Sequence, residues 1–371
     1  MCEAPWTWRG FLLLRGRRAW PTQTFDRAFL RRVLEWRMTL WLVRAGSSGE
    51  GEAWALENGF AVIGWQEMPD LSGFADRDAV RTELAKHYPA KSQAALANWA
   101  GQVYSFAARI KVGDLIALPL KSRSAVAIGR VEGEYQYQPG SEYRHVRKVL
   151  WEKEFARTAF DQDLLYSLGA FMTVCQIQRG NAEARVQAML NGSAPPLVPV
   201  PTDDPDPVKP DPERQGRDMI TALITERFKT HDLERLVEGI LKVQGYQVHR
   251  TRPGADGGVD LLAGRGPLGF DAPRLAVQVK SSKDAADVKV VRELQGVLQD
   301  FGAEHGLFIS WGGFNKAVYA EERKRFFNIR LWDADLLVDA LLECYDRLSP
   351  ELQSELPLKR IWTVVPETDQ S

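Results

Sequence analysis

Eight of the chain's 20 prolines fall between residues 193 and 215, where five acidic side chains accompany only two basic ones. Proline locks φ and offers no backbone donor, so this stretch can neither join a sheet nor build a helix interior. It also carries too little apolar surface to pack a core, and it reads as an extended, semi-stiff Pro/Asp-rich linker. Cores must then form separately, before residue 193 and after residue 215. At 371 residues the chain has room for two such domains, each able to bury its own apolar surface.

Composition narrows the class further. No charge-free run of about 18 apolar residues occurs, so no membrane span and no membrane partner is expected. The 48 basic and 49 acidic residues nearly cancel, which argues against a polycation that coats nucleic acid but leaves room for a local basic groove. Cys2, Cys175 and Cys344 are far apart in sequence, so they suggest neither a zinc knuckle nor a disulfide framework, and a reducing cytoplasm fits best. Residues 1–37 hold eight arginines, no lysine, three acids and four tryptophans. Their one apolar patch, at Phe11 to Leu14, is too short for a secretory signal, so the segment reads as a poorly structured Arg-rich extension. Met38 directly precedes a clean strand pattern, Thr-Leu-Trp-Leu-Val-Arg, which favours a later true start over a basic tail that touches DNA phosphates.

Residues 38–192 alternate short β-like runs, at 39–44, 60–65, 114–118, 125–132, 134–138 and 171–177, with helical patterns over 77–87 and 92–108. The reading is a small mixed α+β barrel with inserted helices. Val-Gly-Asp-Leu-Ile-Ala-Leu-Pro (112–119), Ala-Ile-Gly-Arg-Val-Glu-Gly-Glu-Tyr (127–135) and His-Val-Arg-Lys-Val-Leu-Trp (145–151) are similar to PUA-like and EVE-like domains. That resemblance implies a pocket that holds a flipped, often modified base between aromatic side chains. Trp41, Trp65, Tyr135, Tyr137 and Trp151 are the base-reading candidates, whereas Trp99 lies on an apolar helical stripe and belongs to the core. Tyr135 and Tyr137 stand out because they alternate with Glu134 and Gln136 just before the Pro139-Gly140 turn. Arg44, Arg147 and Lys148 could hold the flanking phosphates.

Residues 216–349 alternate differently. A helix near 217–228 is followed by a second that Thr230 or a neighbour could cap, with Leu233, Leu236, Val237, Ile240 and Leu241 at helical spacing and Gly245 as its stop. Strands at 246–251, around Asp260, around Gln278, at 306–310 and at 328–332 then interleave with helices over 287–301, 315–326 and 334–348. This order implies a mixed sheet flanked by helices, an α/β domain. Residues 350–371 read as a peripheral tail.

Within that domain, residues 254–280 carry the chemistry. A glycine-rich turn, Gly-Ala-Asp-Gly-Gly, delivers Asp260 at the head of one apolar run, and Arg-Leu-Ala-Val-Gln-Val-Lys forms the next. Strand alternation puts Gln278 and Lys280 on one face and Leu275, Val277 and Val279 on the other. A carboxylate, an amide oxygen and an ammonium can thus meet at one sheet edge, an arrangement suited to a hard, oxygen-liganded metal. Asp260 lies between Val259 and Leu261, where an unpaired carboxylate would be costly. Asp256 reads as a turn former and His249 as an ordinary strand residue.

The order helix with an early acid, strand, Asp-Gly-Gly-Val-Asp, strand with Gln-x-Lys, helix resembles the Mrr-like branch of the PD-(D/E)xK restriction endonucleases over roughly residues 228–340. The resemblance implies a restriction-endonuclease-like fold, Glu234, Asp260, Gln278 and Lys280 as the catalytic set, and Mg2+ held by Asp260, Gln278 and Glu234. For Glu234 alone, stabilisation of its helix dipole is the plainer alternative. The leading reading is a modification-dependent endonuclease acting on double-stranded foreign DNA, with an N-terminal reader, a C-terminal cutter, and two or more chains when both strands are cut. A structure-specific repair or junction nuclease and a non-catalytic nucleic-acid-binding protein are the alternatives. The fragment from residue 216 onward is expected to fold and cut weakly by itself.

Overall fold

Alternating apolar residues in β-prone runs build two separate sheets in the computed structural model, which describes residues 38–193, 211–251 and 258–362. The Arg-rich extension, most of the Pro/Asp-rich stretch and Asp256 lie outside the described residues.

The first sheet contains β1 (Leu40–Val43), β2 (Phe60–Ile63), β3 (Leu115–Pro119), β4 (Ala125–Tyr137), β5 (His145–Ala156) and β6 (Val174–Ile177). Its order is β2-β5-β4-β3-β1-β6, with β1 and β3 parallel and the other pairs antiparallel. The ladder therefore ends on β2 and β6 and, among the described residues, does not close on itself as the expected barrel would. Register shifts in the β4–β5 pair at Ile128/Gly129 and Val131/Tyr135 bend the two long strands. Gly129 is required at the first shift, because a Cβ there would lie 2.5 Å from Val149 and 2.7 Å from Trp151. One face of the sheet packs Trp41, Ile63 and Val149 against Val80, Leu84, Trp99 and Phe106, while the other packs Leu40, Leu42 and Ile128 against Phe160 and Leu164. The helix expected over 92–108 is α-helical only from Gln93 to Tyr104 and then relaxes into a wider π turn at Ser105–Arg109.

The second sheet contains β7 (Gln247–Arg250), β8 (Leu261–Arg265), β9 (Asp271–Lys280), β10 (His305–Ser310) and β11 (Ile329–Trp332), in the order β11-β10-β9-β8-β7. β9, β10 and β11 run parallel, and β7 and β8 are antiparallel. Helices His231–Val243 and Ala334–Cys344 cover one face, with Leu236, Ile240, Leu337 and Leu341 packed on Leu261, Val277 and Ile309. Helices Val288–Val297 and Lys316–Lys324 cover the other through Val291, Leu294 and Val318, packed on Ala276 and Phe308. This is the expected mixed sheet flanked by helices. Among the described residues no helix is long and apolar enough to cross a membrane.

Two segments differ from the sequence reading. The helix expected near residue 217 already begins at Pro212, because the Asp211 side chain accepts from the N–H groups of Glu213 and Arg214 and proline suits the first helical turn. Residues 350–358 are not peripheral: Leu352 and Leu356 of helix Pro350–Glu355 and its exit are buried in the second core, and Glu355 pairs with Arg235 at 2.7 Å. Apolar spacing after the Pro350 helix start is short, so its burial could not be separated from that of a loop by periodicity alone.

Candidate active site

The catalytic candidates converge where β8 and β9 meet. Asp260 stands one residue before β8, its N–H bonded to Val277 O at 2.8 Å. Its carboxylate Oδ2 accepts from the Val279 N–H at 2.6 Å, so it is fixed against the backbone between Gln278 and Lys280. Thr251 anchors the preceding residues by donating its hydroxyl to Val259 O at 2.5 Å. Gly258, at φ +82°, closes over Gln278: a Cβ there would lie 2.7 Å from Gln278 Nε2. That contact and the left-handed backbone explain the second glycine of the turn. Val277 and Val279 face the core that holds helix His231–Val243, which leaves Gln278 and Lys280 on the opposite side of the strand.

Glu234 enters from the first turn of helix His231–Val243, with its side chain 12% exposed. Its Oε1 lies 2.7 Å from His231 Nδ1 and its Oε2 accepts from Arg250 Nη2 at 3.3 Å. Thr230 does occupy the N-cap position but its side chain makes no cap bond; at φ 50° and ψ −117° it lacks the extended conformation that swings a hydroxyl back over the first turn. Burial pushes the Asp260 carboxyl above its ordinary range, the nearby Glu234 charge adds to that, and the Val279 N–H opposes it. A divalent cation beside the Asp260 carboxylate would favour its charged form and offset the cost of burying it.

The residues fit such a cation. Gln278 Oε1 is buried without a hydrogen-bond partner, so a neutral oxygen is available beside the Asp260 carboxylate. Among the described residues no group of three His, Cys, Asp or Glu side chains could hold a metal. A set completed by an amide oxygen falls outside that description, as the Gln-x-Lys pattern implies. Lys280 makes no ion pair among the described residues.

Residues 225–341 match the profile of a family described as restriction endonuclease. The C-terminal part of this chain is a restriction endonuclease domain. The domain contains all four candidates, Glu234, Asp260, Gln278 and Lys280, and the chain is accordingly an endodeoxyribonuclease. The family typically uses divalent metal ions. Residues 38–176 match a profile described only as a domain of unknown function. No curated protein sequence matches the chain. Among solved structures, the DNA modification-dependent restriction endonuclease AspBHI is 16% identical, with 81% of this chain and 79% of that one covered at a TM-score of 0.31. The MspJI restriction endonuclease in complex with a 27-mer oligonucleotide is 13% identical, with 86% and 80% covered at 0.30. Similarity this loose assigns no residue of the endonuclease domain.

In the N-terminal domain the base-reading candidates separate into two groups. Trp41, Trp65 and Arg147 are core, contrary to the sequence reading. The Trp41 indole donates to Asp114 Oδ2 at 3.0 Å. Trp65 is buried edge-on against Trp99, their ring centres 5.8 Å apart. Arg147 is fully buried and donates to Phe106 O at 2.6 Å and Ala107 O at 2.7 Å, so its guanidinium is engaged within the fold. Arg44 is similarly bound to Ala170 O at 2.9 Å, and the Trp151 indole donates to Ala55 O at 3.0 Å. Lys148 reaches Asn58 O at 3.1 Å and lies over the Phe60 ring.

Tyr135 and Tyr137, by contrast, are half-buried and come together at His145. The Tyr135 hydroxyl and His145 Nδ1 share a hydrogen bond of 2.8 Å, and the Tyr137 and His145 ring centres are 5.4 Å apart. Burial pushes the His145 imidazole down to about 4 and raises the Tyr135 phenol. Sequence reasoning missed His145 because its partners sit on another strand. The one available signal was its place at the head of a strand that pairs back onto Tyr137.

Proposed function

We propose that the protein is a Mg2+-dependent endodeoxyribonuclease that cuts double-stranded DNA carrying modified bases and restricts foreign DNA in the cytoplasm. The observation that carries the reading is the Asp260 carboxylate fixed between Gln278 and Lys280, inside a restriction endonuclease domain. Asp260, Gln278 Oε1 and Glu234 would hold the cation, which when bound would polarise the scissile phosphate. Asp260 is held by the Val279 N–H and Glu234 by His231 and Arg250, so the ligating oxygens need little reorganisation when DNA arrives. Gln278 contributes a neutral oxygen, leaving one formal charge fewer than an acidic residue would, so binding depends more on Glu234 and on substrate phosphate. Lys280 presents an ammonium on the same strand face as Gln278, where it orients the attacking water and stabilises charge developing on the phosphate.

In this reading residues 38–192 form the reader, with Tyr135 and Tyr137 as its aromatic pair, the cutter extends from the helix that starts at Pro212 through residue 358, and two or more chains assemble when both strands are cut. Stacking on such a pair offsets the lost pairing of an extruded base. The test is cleavage of methylated, hydroxymethylated and unmodified duplexes with Mg2+, repeated after chelation. The expected result is faster cutting of a modified duplex and none with chelator. Equal cutting of all three duplexes would refute the reader assignment, and cutting in excess chelator would refute the metal.

A further inference from the structure

Gln278 Oε1 is not alone among buried polar atoms near Lys280 that lack a partner: Ser310 Oγ is another. Ser310 ends β10 and is fully buried, at 0% exposure. A buried hydroxyl without a partner is destabilising, so a serine enclosed this completely calls for an acceptor or donor close by. The register identifies one. In the parallel β9–β10 pair Ser310 stands beside Lys280, two residues beyond Phe308 beside Gln278. Leu307, Ile309 and Trp311 belong to one core, together with Val277, while Phe308 and Ala276 belong to the other. Alternation therefore puts Ser310 on the same face as Gln278 and Lys280.

The two strands are tied at this end, where the Trp311 N–H donates to Lys280 O at 2.8 Å. Neighbouring strands lie about 4.8 Å apart, a gap that a four-carbon lysine stem folding back spans easily.

We propose that Ser310 is the positioning residue for Lys280, its hydroxyl, without a partner in this structure, accepting from the ammonium once the lysine folds back and so holding the side chain on the sheet face that carries Gln278. The assignment rests on the nuclease reading above. A free lysine side chain samples many rotamers, and ordering it costs entropy. Fixing it before DNA binds removes that ordering from the reaction step, so the contribution of Ser310 falls on kcat rather than on KM.

Ser310→Ala and Ser310→Thr are compared with Lys280→Ala and wild type in steady-state cleavage, alongside DNA binding without metal and lysine-selective NMR of the metal-free protein. Ser310→Ala is expected to lower kcat about 10- to 100-fold, the usual effect of losing a supporting hydrogen bond, with KM and metal-free DNA affinity unchanged. Ser310→Thr retains the hydroxyl and most of the rate. In wild type the Lys280 ammonium protons, identified by their loss in Lys280→Ala, are expected to be slowed in exchange, and Ser310→Ala removes that signal. Wild-type kcat in Ser310→Ala, an equal fall in Ser310→Thr, or a fast-exchanging Lys280 ammonium in wild type would each overturn the proposal. If wild type cuts no DNA, the nuclease reading fails, and the NMR comparison still decides whether Ser310 holds Lys280.

Discussion

The Asp260 carboxylate takes an N–H that a strand partner's carbonyl would otherwise accept, and this ties the candidate acid to the backbone that carries Gln278 and Lys280. Removing it therefore takes away the proposed ligand and a ladder bond together. Asp260→Ala and Lys280→Ala are each expected to lower cleavage by roughly a thousandfold, within the range of a lost acid–base group, while circular dichroism stays native. Gln278→Glu restores the commoner acidic ligand and is expected to keep measurable activity. Robust cutting by either alanine variant would remove these residues from the mechanism. At His145, burial lowers the folded pKa from 6.5 to about 4, so the unfolded chain takes up a proton first as pH falls. Above pH 6.5 the group contributes nothing to pH dependence. Between 6.5 and 4 stability is lost, by about 3 kcal/mol when both states are protonated. His145→Gln keeps a hydrogen-bonding group for Tyr135 but does not titrate, so its denaturation midpoint is expected to vary less than that of wild type from pH 7.5 to 4. Parallel curves would show that His145 is not the titrating group.

Among the elements, helix Pro212–Arg227 has the most demanding environment. Arg157, in the short turn that follows β5, donates to both carboxylate oxygens of Asp218 at 3.1 and 2.6 Å, and both side chains are almost wholly buried, 4% and 6% exposed. Arg214 on the same helix approaches Asp218 at 3.4 Å and pairs with Asp335 at 3.0 Å. A buried pair adds little net stability as a pair, but breaking it strands a charge. Asp218→Ala is therefore expected to destabilise the protein by about 3–5 kcal/mol, whereas Arg157→Met combined with Asp218→Leu should cost far less. Urea denaturation of the two variants and wild type measures this, and an Asp218→Ala cost below that of the double variant would contradict it.

For the molecule as a whole, those contacts change what the proline-rich stretch can mean. Asp218 and Trp311 lie in the C-terminal half, yet Arg157 pairs with Asp218, the Thr158 hydroxyl donates to Trp311 O at 3.3 Å, and the Ser124 N–H donates to Asp333 Oδ2 at 3.1 Å. The sequence reading expected a fragment from residue 216 to stand alone. Such a fragment loses the first turn of helix Pro212–Arg227 and leaves Asp218 without Arg157. It is expected to unfold at a clearly lower urea concentration than residues 38–371, and calorimetry of the longer chain should give one dominant transition. Equal midpoints for fragment and longer chain would show that the contacts between the halves carry no stability.

The mixed sheet, its flanking helices and the position of the strand pair that carries Asp260, Gln278 and Lys280 were legible in the sequence because each rests on local periodicity. Leu233, Leu236, Val237, Ile240 and Leu241 mark one helix face, and all are buried. The alternation through Val277, Gln278, Val279 and Lys280 likewise fixes which side chains share a face wherever the strand pairs. What pairs with what across the chain has no local signature. Trp41, Trp65 and Arg147 looked like surface readers because aromatic and basic residues serve in cores and in pockets alike, and only the packing of Trp99, Phe106 and Asp114 around them decided which. The meeting of Tyr135 with His145, the ion pair of Arg157 with Asp218 and the place of Ser310 beside Lys280 were decided in the same way. Each depends on partners brought together from different elements, and that information exists only once the chain has folded.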